Sequence, residues 1–382
     1  VATQGIVSPD EQRVSFVELF FDLVFVFSVT KVVELLHHHL SWLVVAQVLL
    51  VFWIIWWAWT QFTWALNAAD TTHPGVQLGA LVATAVAFLM VASVAGAFQD
   101  RALWFAITYV LVRLIGLGLY AWVAWRNRAQ WRAVWTFSAV SLTGLAAVLS
   151  GAAQGGGAQL AWWSAAIALD LVAAGIGGRQ RGWNLHAAHF SERHGLFVII
   201  ALGESLIVAA TGMTERDWTT ALVLNALLTV ATAGALWWGY FGRAKDWLEH
   251  ELHHRRDADQ SRLARDAFSL LHFPMIVGII AYAAAIEVIL SHPDEPLSFE
   301  ARALLSLGIL LFSGFTALAV RRCGYRLLWP RLVCTGAAAL AVAVLPDVPP
   351  ALALAIMLLG MAATAVIEQR ADPVPSPHGA DR

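Results

Sequence analysis

The sequence predicts an all-α polytopic membrane protein of about twelve transmembrane helices, arranged as two six-helix halves. Three observations carry this expectation. The chain is 59% hydrophobic and only 13% charged, a balance that water-soluble domains do not show. Apolar stretches of about 20 residues, the length that spans roughly 30 Å of hydrocarbon, recur along nearly its whole length. The basic residues fall on alternate connections between those stretches, as they do when short cytoplasmic loops retain Lys and Arg.

In chain order, a short N-terminal segment, residues 1–13, leads into the first stretch, Val14–Leu36. Trp42–Leu66, Val76–Phe98, Ala102–Trp125, Val134–Ala153 and Leu160–Gly178 complete a first half, residues 14–178. Between the fifth and sixth, Gln154-Gly155-Gly156-Gly157 reads as a flexible turn. A polar linker, residues 179–195, precedes the second half, residues 196–370, whose stretches are Leu196–Met213, Trp218–Phe241, Ala267–Leu290, Phe299–Val320, Leu327–Leu345 and Ala351–Val366. The charged segment 242–266 reads as a solvated extension of the eighth helix, and the Pro-rich, polar tail, 371–382, as disordered.

With the N-terminus inside, the cytoplasmic side collects Arg13, Arg126, Arg128, Arg132, Arg179, Arg181, Arg193, the segment from Arg243 to Arg265, and Arg321, Arg322, Arg326, Arg331, Arg370 and Arg382. The outer side keeps Arg101, Arg216 and Arg302. Both termini are therefore expected in the cytoplasm of a multi-pass protein of the bacterial plasma (inner) membrane. The first stretch is too long, carries acids and lacks a small-residue cleavage site, so it reads as a retained helix rather than a secretory signal. A net charge of −2, with its charges in loops and no basic face, gives no reason to expect nucleic acid. Cys323 and Cys334 imply no disulfide. The oligomeric state is not readable.

A weak internal repeat supports the division into halves. Set in register at Phe16 and Phe190, the stretches that begin near Val14 and His189 also match Glu18 with Glu192 and Val24 with Val198. The next helix of each half ends in an aromatic cluster, Trp56-Trp57-Ala58-Trp59 and Trp237-Trp238-Gly239-Tyr240. Six helices per half give both the same orientation, related by an axis along the membrane normal.

Chemistry is expected where charge enters hydrocarbon, because a charge at the bilayer centre costs at least a few kcal/mol unless it is paired or wet. In the first helix Glu18 and Asp22 share a face; Lys31 and Glu34 lie near its outer end. Arg113, Asp170, Glu204, His272 and Glu287 are the other buried candidates. Counting Glu18, Asp22, Glu34, Asp170, Glu204 and Glu287 against Lys31 and Arg113, the acids outnumber the bases. The surplus must be protonated, wet or bound to a cation, as in ion and proton pathways. In the bland alternative Asp22 pairs with Arg113 and the rest hydrogen-bond between helices. His186, His189, Glu192, Arg193 and His194 precede the seventh helix; His189, Glu192 and Arg193 on one face, with His272, offer a polar cluster at the inner mouth.

His250-Glu251-Leu252-His253-His254 fits the H-E-x-x-H zinc pattern through His250, Glu251 and His254. It sits in a locally His/Glu/Arg-rich segment with no evident third ligand, so a solvated charged helix is the better reading. His37-His38-His39 splays apart on a helix and makes no metal site. No metal or cofactor is expected.

VSFVELFFDLVFVFSVTKV near the start and HFSERHGLFVIIALGESLI mid-chain resemble the signatures of the bacterial low temperature requirement protein A family. The run Trp237 to Phe241 and LLHFPMIVGIIAYAAAIE at Leu270 to Glu287 are similar to the same pattern. The resemblance implies a polytopic bacterial membrane protein and brings no settled biochemical activity; it highlights Glu18, Asp22, His189, Glu192, Arg193, Gly195, Glu204, His272 and Glu287. A fainter likeness, Phe20-Phe21-Asp22 and Phe190-Ser191-Glu192, is similar to the F-S-D motif of potassium channels with six-helix repeats.

The expected function is movement of a cation or proton, by a proton-coupled transporter or a channel, with a small solute as a further partner. Asp22 and Glu204 would be the ion sites, Glu18 and Glu192 inner-mouth carboxylates, and Arg113 a counter-ion. The alternatives are an intramembrane enzyme acting on a lipid or isoprenoid, for which the chain offers no nucleophile or phosphate-binding motif, and a non-catalytic envelope scaffold.

Overall fold

Hydrocarbon offers no partner to a backbone N–H or C=O, so a chain this apolar must satisfy them within helices. The computed structural model describes residues 6–9, 12–38, 41–125, 127–177, 183, 185–214, 216–326 and 328–371. Among them the helices are α1 (Phe16–His38), α2 (Trp42–Ala68), α3 (Pro74–Ala92), α4 (Ala102–Ala124), α5 (Arg128–Gln154), α6 (Gly156–Gly177) and α7 (Ala187–Thr214). They continue as α8 (Thr220–Phe241), α9 (Ala244–His254), α10 (Asp257–Leu263), α11 (His272–Ser291), α12 (Phe299–Arg322), α13 (Trp329–Val344) and α14 (Pro350–Ala371). A π-helical stretch, Ala264–Leu270, leads into α11. Among the described residues an isolated β-bridge joins Val7 and Ala69, and Leu297 N donates to Val348 O at 3.0 Å.

Helices α1–α8 and α11–α14 stand where the twelve apolar stretches were expected. Among the described residues ten helical stretches are long and apolar enough to cross a membrane. Helix α1 falls outside that set by its charges, and α13 by its length of 16 residues. Local chemistry sets the starts: Ser41, Thr219 and Ser298 cap α2, α8 and α12 by accepting from Val44 N, Leu222 N and Ala301 N. His73 caps α3, with Pro74 opening the helix.

Two boundaries differ from expectation. Helix α7 begins at Ala187, nine residues before Leu196, because His189, Glu192 and Arg193 are compatible with a helix although they lower its hydropathy. The linker is correspondingly short. The segment 242–266 does not simply extend the eighth helix: α9 begins after a turn at Gly242-Arg243, and α10 follows separately. The tail from 372 to 382, the basic residues Arg126, Arg179, Arg181 and Arg382, and His39 lie outside the described residues.

The chain forms two compact units, Val1–Phe197 with His253–Arg265, and Val198–Leu252 with Asp266–Arg382. In the first, α2 is the central helix. Every residue from Val51 to Thr63 is buried, and α1, α4 and α6 pack around it. Connections at the basic end of this unit tie the C-terminus of α2 to the N-terminus of α7: Asn67 bonds the His186 backbone, and Trp183 sits among Trp64, Tyr120 and Phe137. At the opposite end Gln159 Nε2 donates to Ala97 O at 2.6 Å.

In the second unit α8 packs on α11, α12 and α14, and α13 packs on α12 and α14. The closest crossing joins α11 and α12 at Gly278 and Gly308. A Cβ built on Gly278 would stand 2.6 Å from Gly308 O and 2.8 Å from Phe312 N. Small residues allow such approach where no hydrophobic effect drives helices together in lipid. Gly278→Ala is expected to lower stability by about 1–3 kcal/mol by overpacking, whereas Gly314→Ala, which meets nothing within 4 Å, is expected to be neutral. Thermal unfolding of the purified variants checks the contrast.

Candidate functional site

A buried ion cluster forms where α1, α2 and the first turns of α7 meet. Its origin is two pairs at helical spacing, Glu18/Asp22 on α1 and His189/Arg193 on α7, each pair presenting one face. All four side chains are buried, with exposures of 1% or less. Helix α2 supplies Trp59, Phe62 and Asn67 from its buried C-terminal half.

Glu18 turns back toward the start of its own helix. Ser15 N and Ser15 Oγ both donate to Glu18 Oε2 at 2.9 Å, the reach-back of a capping box. His189 Nε2 lies 3.1 Å from the same oxygen, and Arg193 Nη1 lies 3.4 Å from Oε1. One turn deeper, Asp22 Oδ1 accepts from Arg193 Nη2 at 2.5 Å and from Trp59 Nε1 at 2.7 Å. The guanidinium carbon of Arg193 also lies 5.7 Å from the Trp59 ring centroid, within cation–π range.

Asn67 sets the charge of this cluster. Its Oδ1 accepts from His186 N at 2.8 Å and its Nδ2 donates to His186 O at 3.1 Å, so two backbone groups fix which amide atom is nitrogen. The second Nδ2 proton points at His189 Nδ1, 2.9 Å away. That ring nitrogen must accept, which leaves the proton on Nε2, donated to Glu18. His189 is thus a neutral imidazole. Two carboxylates then face one guanidinium, and with both ionised the four groups carry one unbalanced negative charge.

The two acids are not equivalent. Glu18 receives four donors across both oxygens. Asp22 receives both of its donors on Oδ1, while Oδ2 is buried with no hydrogen-bond partner among the described residues. Oδ2 is therefore the atom open to a proton. Next to Arg193 in α7, His194 Nδ1 donates to Phe190 O, with its ring against Trp56 and Trp59.

The other expected residues separate. Arg113 is a buried counter-ion, but to Asp170 rather than Asp22: its Nη1 and Nη2 lie 3.4 Å from Asp170 Oδ1, and Nη1 bonds Tyr109 OH at 2.5 Å. Lys31 and Glu34 pair with each other at 2.7 Å on a partly exposed face of α1. Glu192 is exposed, so it does not share the face of His189 and Arg193: three residues on, it has turned away from α1 and α2. In the second unit, Glu204 is buried and Glu287 half-buried. His272 is fully buried there, with Nδ1 donating to Ala267 O at 2.8 Å and Nε2 accepting from Tyr240 OH at 2.7 Å.

His250, Glu251 and His254 lie on α9, and among the described residues no group of three or more His, Cys, Asp or Glu is placed to hold a metal. Sequence reasoning missed Trp59 and Asn67, which look like ordinary members of an apolar helix. It also placed Arg193 at the membrane surface and so left it out of the count of bases. The matching four-residue spacing of the two pairs was the signal that joins them.

The charge count makes a stability prediction. Asp22→Asn removes the unbalanced charge and keeps an oxygen for Trp59 and Arg193, so its unfolding midpoint is expected to equal or exceed the parent's. Arg193→Gln leaves two buried acids without a cation and is expected to cost about 3–5 kcal/mol. Equal loss in both variants would mean that the cluster is balanced without a further proton or cation.

The uncharacterized protein RA0937 of Rhizobium meliloti (strain 1021) is 26% identical over 322 residues, covering 80% of this chain and 76% of its own length. No solved structure matches the chain. The profile of the bacterial low temperature requirement A protein (LtrA) matches residues 13–366, all of α1 to α13 and most of α14, and the chain belongs to that family.

Proposed function

We propose that this LtrA-family protein moves protons across the bacterial plasma membrane as a proton-coupled transporter, and that Asp22 takes and releases the proton. The observation that carries the reading is the charge deficit of the buried cluster combined with the unpartnered Asp22 Oδ2. A proton closes that deficit with least rearrangement. Hard metal cations require several oxygen ligands, whereas the groups bonded to Asp22 are the donors Arg193 and Trp59.

Arg193 gives the cycle its second state. It bonds both carboxylates and the Phe62 carbonyl, so protonating Asp22 weakens one of its two ionic attachments and leaves Glu18 as the other. Glu18, held by Ser15 and His189, is the fixed anchor in this scheme. The charges of the unit support a sidedness: Arg13, Arg128 and Arg132 are exposed at the end that holds the cluster, and Arg101 lies at the other. By the positive-inside rule the cluster lies nearer the cytoplasm, and Asp22 lies about 9 Å along α1 at ~1.5 Å per residue.

One observation favours a scaffold instead: Glu18 and Asp170 are both well engaged by cationic or neutral donors, as inert helix glue would be. Flux separates the readings. Purified protein in liposomes containing a pH-sensitive dye is expected to dissipate an imposed proton gradient in the presence of its solute or a membrane potential. Asp22→Asn is expected to reduce that flux at least tenfold, about 1.4 kcal/mol or more at the rate-limiting step, while Lys31→Gln, outside the cluster, leaves it unchanged. Undiminished flux in Asp22→Asn overturns the site, and an inert parent across ions and candidate solutes overturns the function.

A further inference from the structure

The second unit contains a separate charged crevice between α8, α12, α13 and α14. Its volume is about 60 Å³, room for roughly four water-sized atoms, which is the size of one phosphate or carboxylate group. Arg331, only 4% exposed, is gripped by Glu368: Nε donates to Oε1 at 3.0 Å and Nη2 to Oε2 at 2.8 Å. That grip uses one edge of the guanidinium and leaves Nη1 without a hydrogen bond to the described residues. Arg243 lies alongside, Nη1 bonding the backbone carbonyl of Glu368 and Nη2 that of Gln369 at 3.4 Å. The Ser313 hydroxyl, also in the lining and 5% exposed, makes no hydrogen bond within the described residues.

The lining thus holds a second guanidinium beside the Arg331–Glu368 pair, and both Arg331 Nη1 and Ser313 Oγ are donors in want of an acceptor. The chemistry called for is a small anionic oxygen group. Its setting indicates the source. The crevice opens among the C-terminal ends of α8 and α14 and the N-terminal end of α13, where exposed Arg321, Arg322, Arg326 and Arg370 gather. Trp238 and Ile367, 50% and 42% exposed, flank it on helices apolar enough to face lipid. We propose that this crevice binds the phosphoryl headgroup of an anionic membrane lipid, at the level where a basic pocket between helices meets the headgroups.

Native mass spectrometry of the full-length protein, incubated in detergent with phosphatidylglycerol or with phosphatidylcholine of the same chains, tests it. The parent is expected to retain phosphatidylglycerol about tenfold more strongly, the worth of one charge-assisted hydrogen bond. The double variant Arg331→Gln with Glu368→Gln, which keeps a hydrogen-bonding pair without the charges, is expected to lose that preference. Ser313→Ala is expected to weaken it severalfold, and carries the test if the double variant does not fold. Equal retention of the two lipids by the parent, or a preference unchanged in the variants, overturns the proposal. Inorganic phosphate binding the lipid-free protein with the same dependence on Arg331, and displacing phosphatidylglycerol, would assign the site to phosphate from solution and overturn the lipid assignment.

Discussion

The contact of Arg193 with Glu18 and Asp22 is the interaction on which the organisation of the first unit depends. Ionised carboxylates on α1 have no place in an apolar bundle unless a cation meets them, because desolvating each ion costs several kcal/mol. Arg193 meets both, at 3.4 and 2.5 Å, and in doing so fastens the start of α7 to α1 over the central helix α2. The indole of Trp59 and the amide of Asn67 complete a network in which the polar atoms of Glu18 and His189 all have partners. A buried network is most costly where it is incomplete. In this one the incomplete positions among the described residues are a donor, Arg193 Nε, and an acceptor, Asp22 Oδ2, and a proton is most economically sought at the acceptor.

The same physics treats neighbouring charges differently. Arg113 and Asp170 form a second buried pair on α4 and α6, with Tyr109 as an additional partner for the guanidinium. There one cation meets one anion, so the formal charge closes. The α1–α7 cluster has two acids for one cation, and its fourth member is prevented from supplying the missing charge because Asn67 occupies His189 Nδ1. An amide that points one way rather than the other thus decides the charge state of a histidine, and through it whether a proton is required nearby.

Much of the fold was legible before any coordinates, since periodic apolar length is what the bilayer demands and composition records it directly. Helix α1 was legible despite its charges because its length and flanks fit a span. What hydropathy concealed was the true start of α7. His189, Glu192 and Arg193 depress the apolar average without breaking a helix, so a hydropathy window ends the span at Leu196 and assigns Arg193 to the cytoplasm. That displacement removed a fully buried base from the ledger and made Arg113 look like the partner of Asp22. Of the six acids counted against the bases, Glu18, Asp22, Asp170 and Glu204 are buried, Glu287 is half-buried and Glu34 is exposed. Which base each one meets depends on helix packing, and a single sequence carries that only through coincidences of spacing such as the paired four-residue steps here.

The central claim is that Asp22 carries the proton that closes the charge of the cluster. Infrared difference spectroscopy on the reconstituted protein measures it most directly, through the carbonyl stretch of a protonated carboxylic acid buried from solvent. The account predicts such a band in the parent, its loss in Asp22→Asn, and its persistence in Lys31→Gln. A parent spectrum with no protonated acid assignable to Asp22, or a band that survives Asp22→Asn intact, would contradict it.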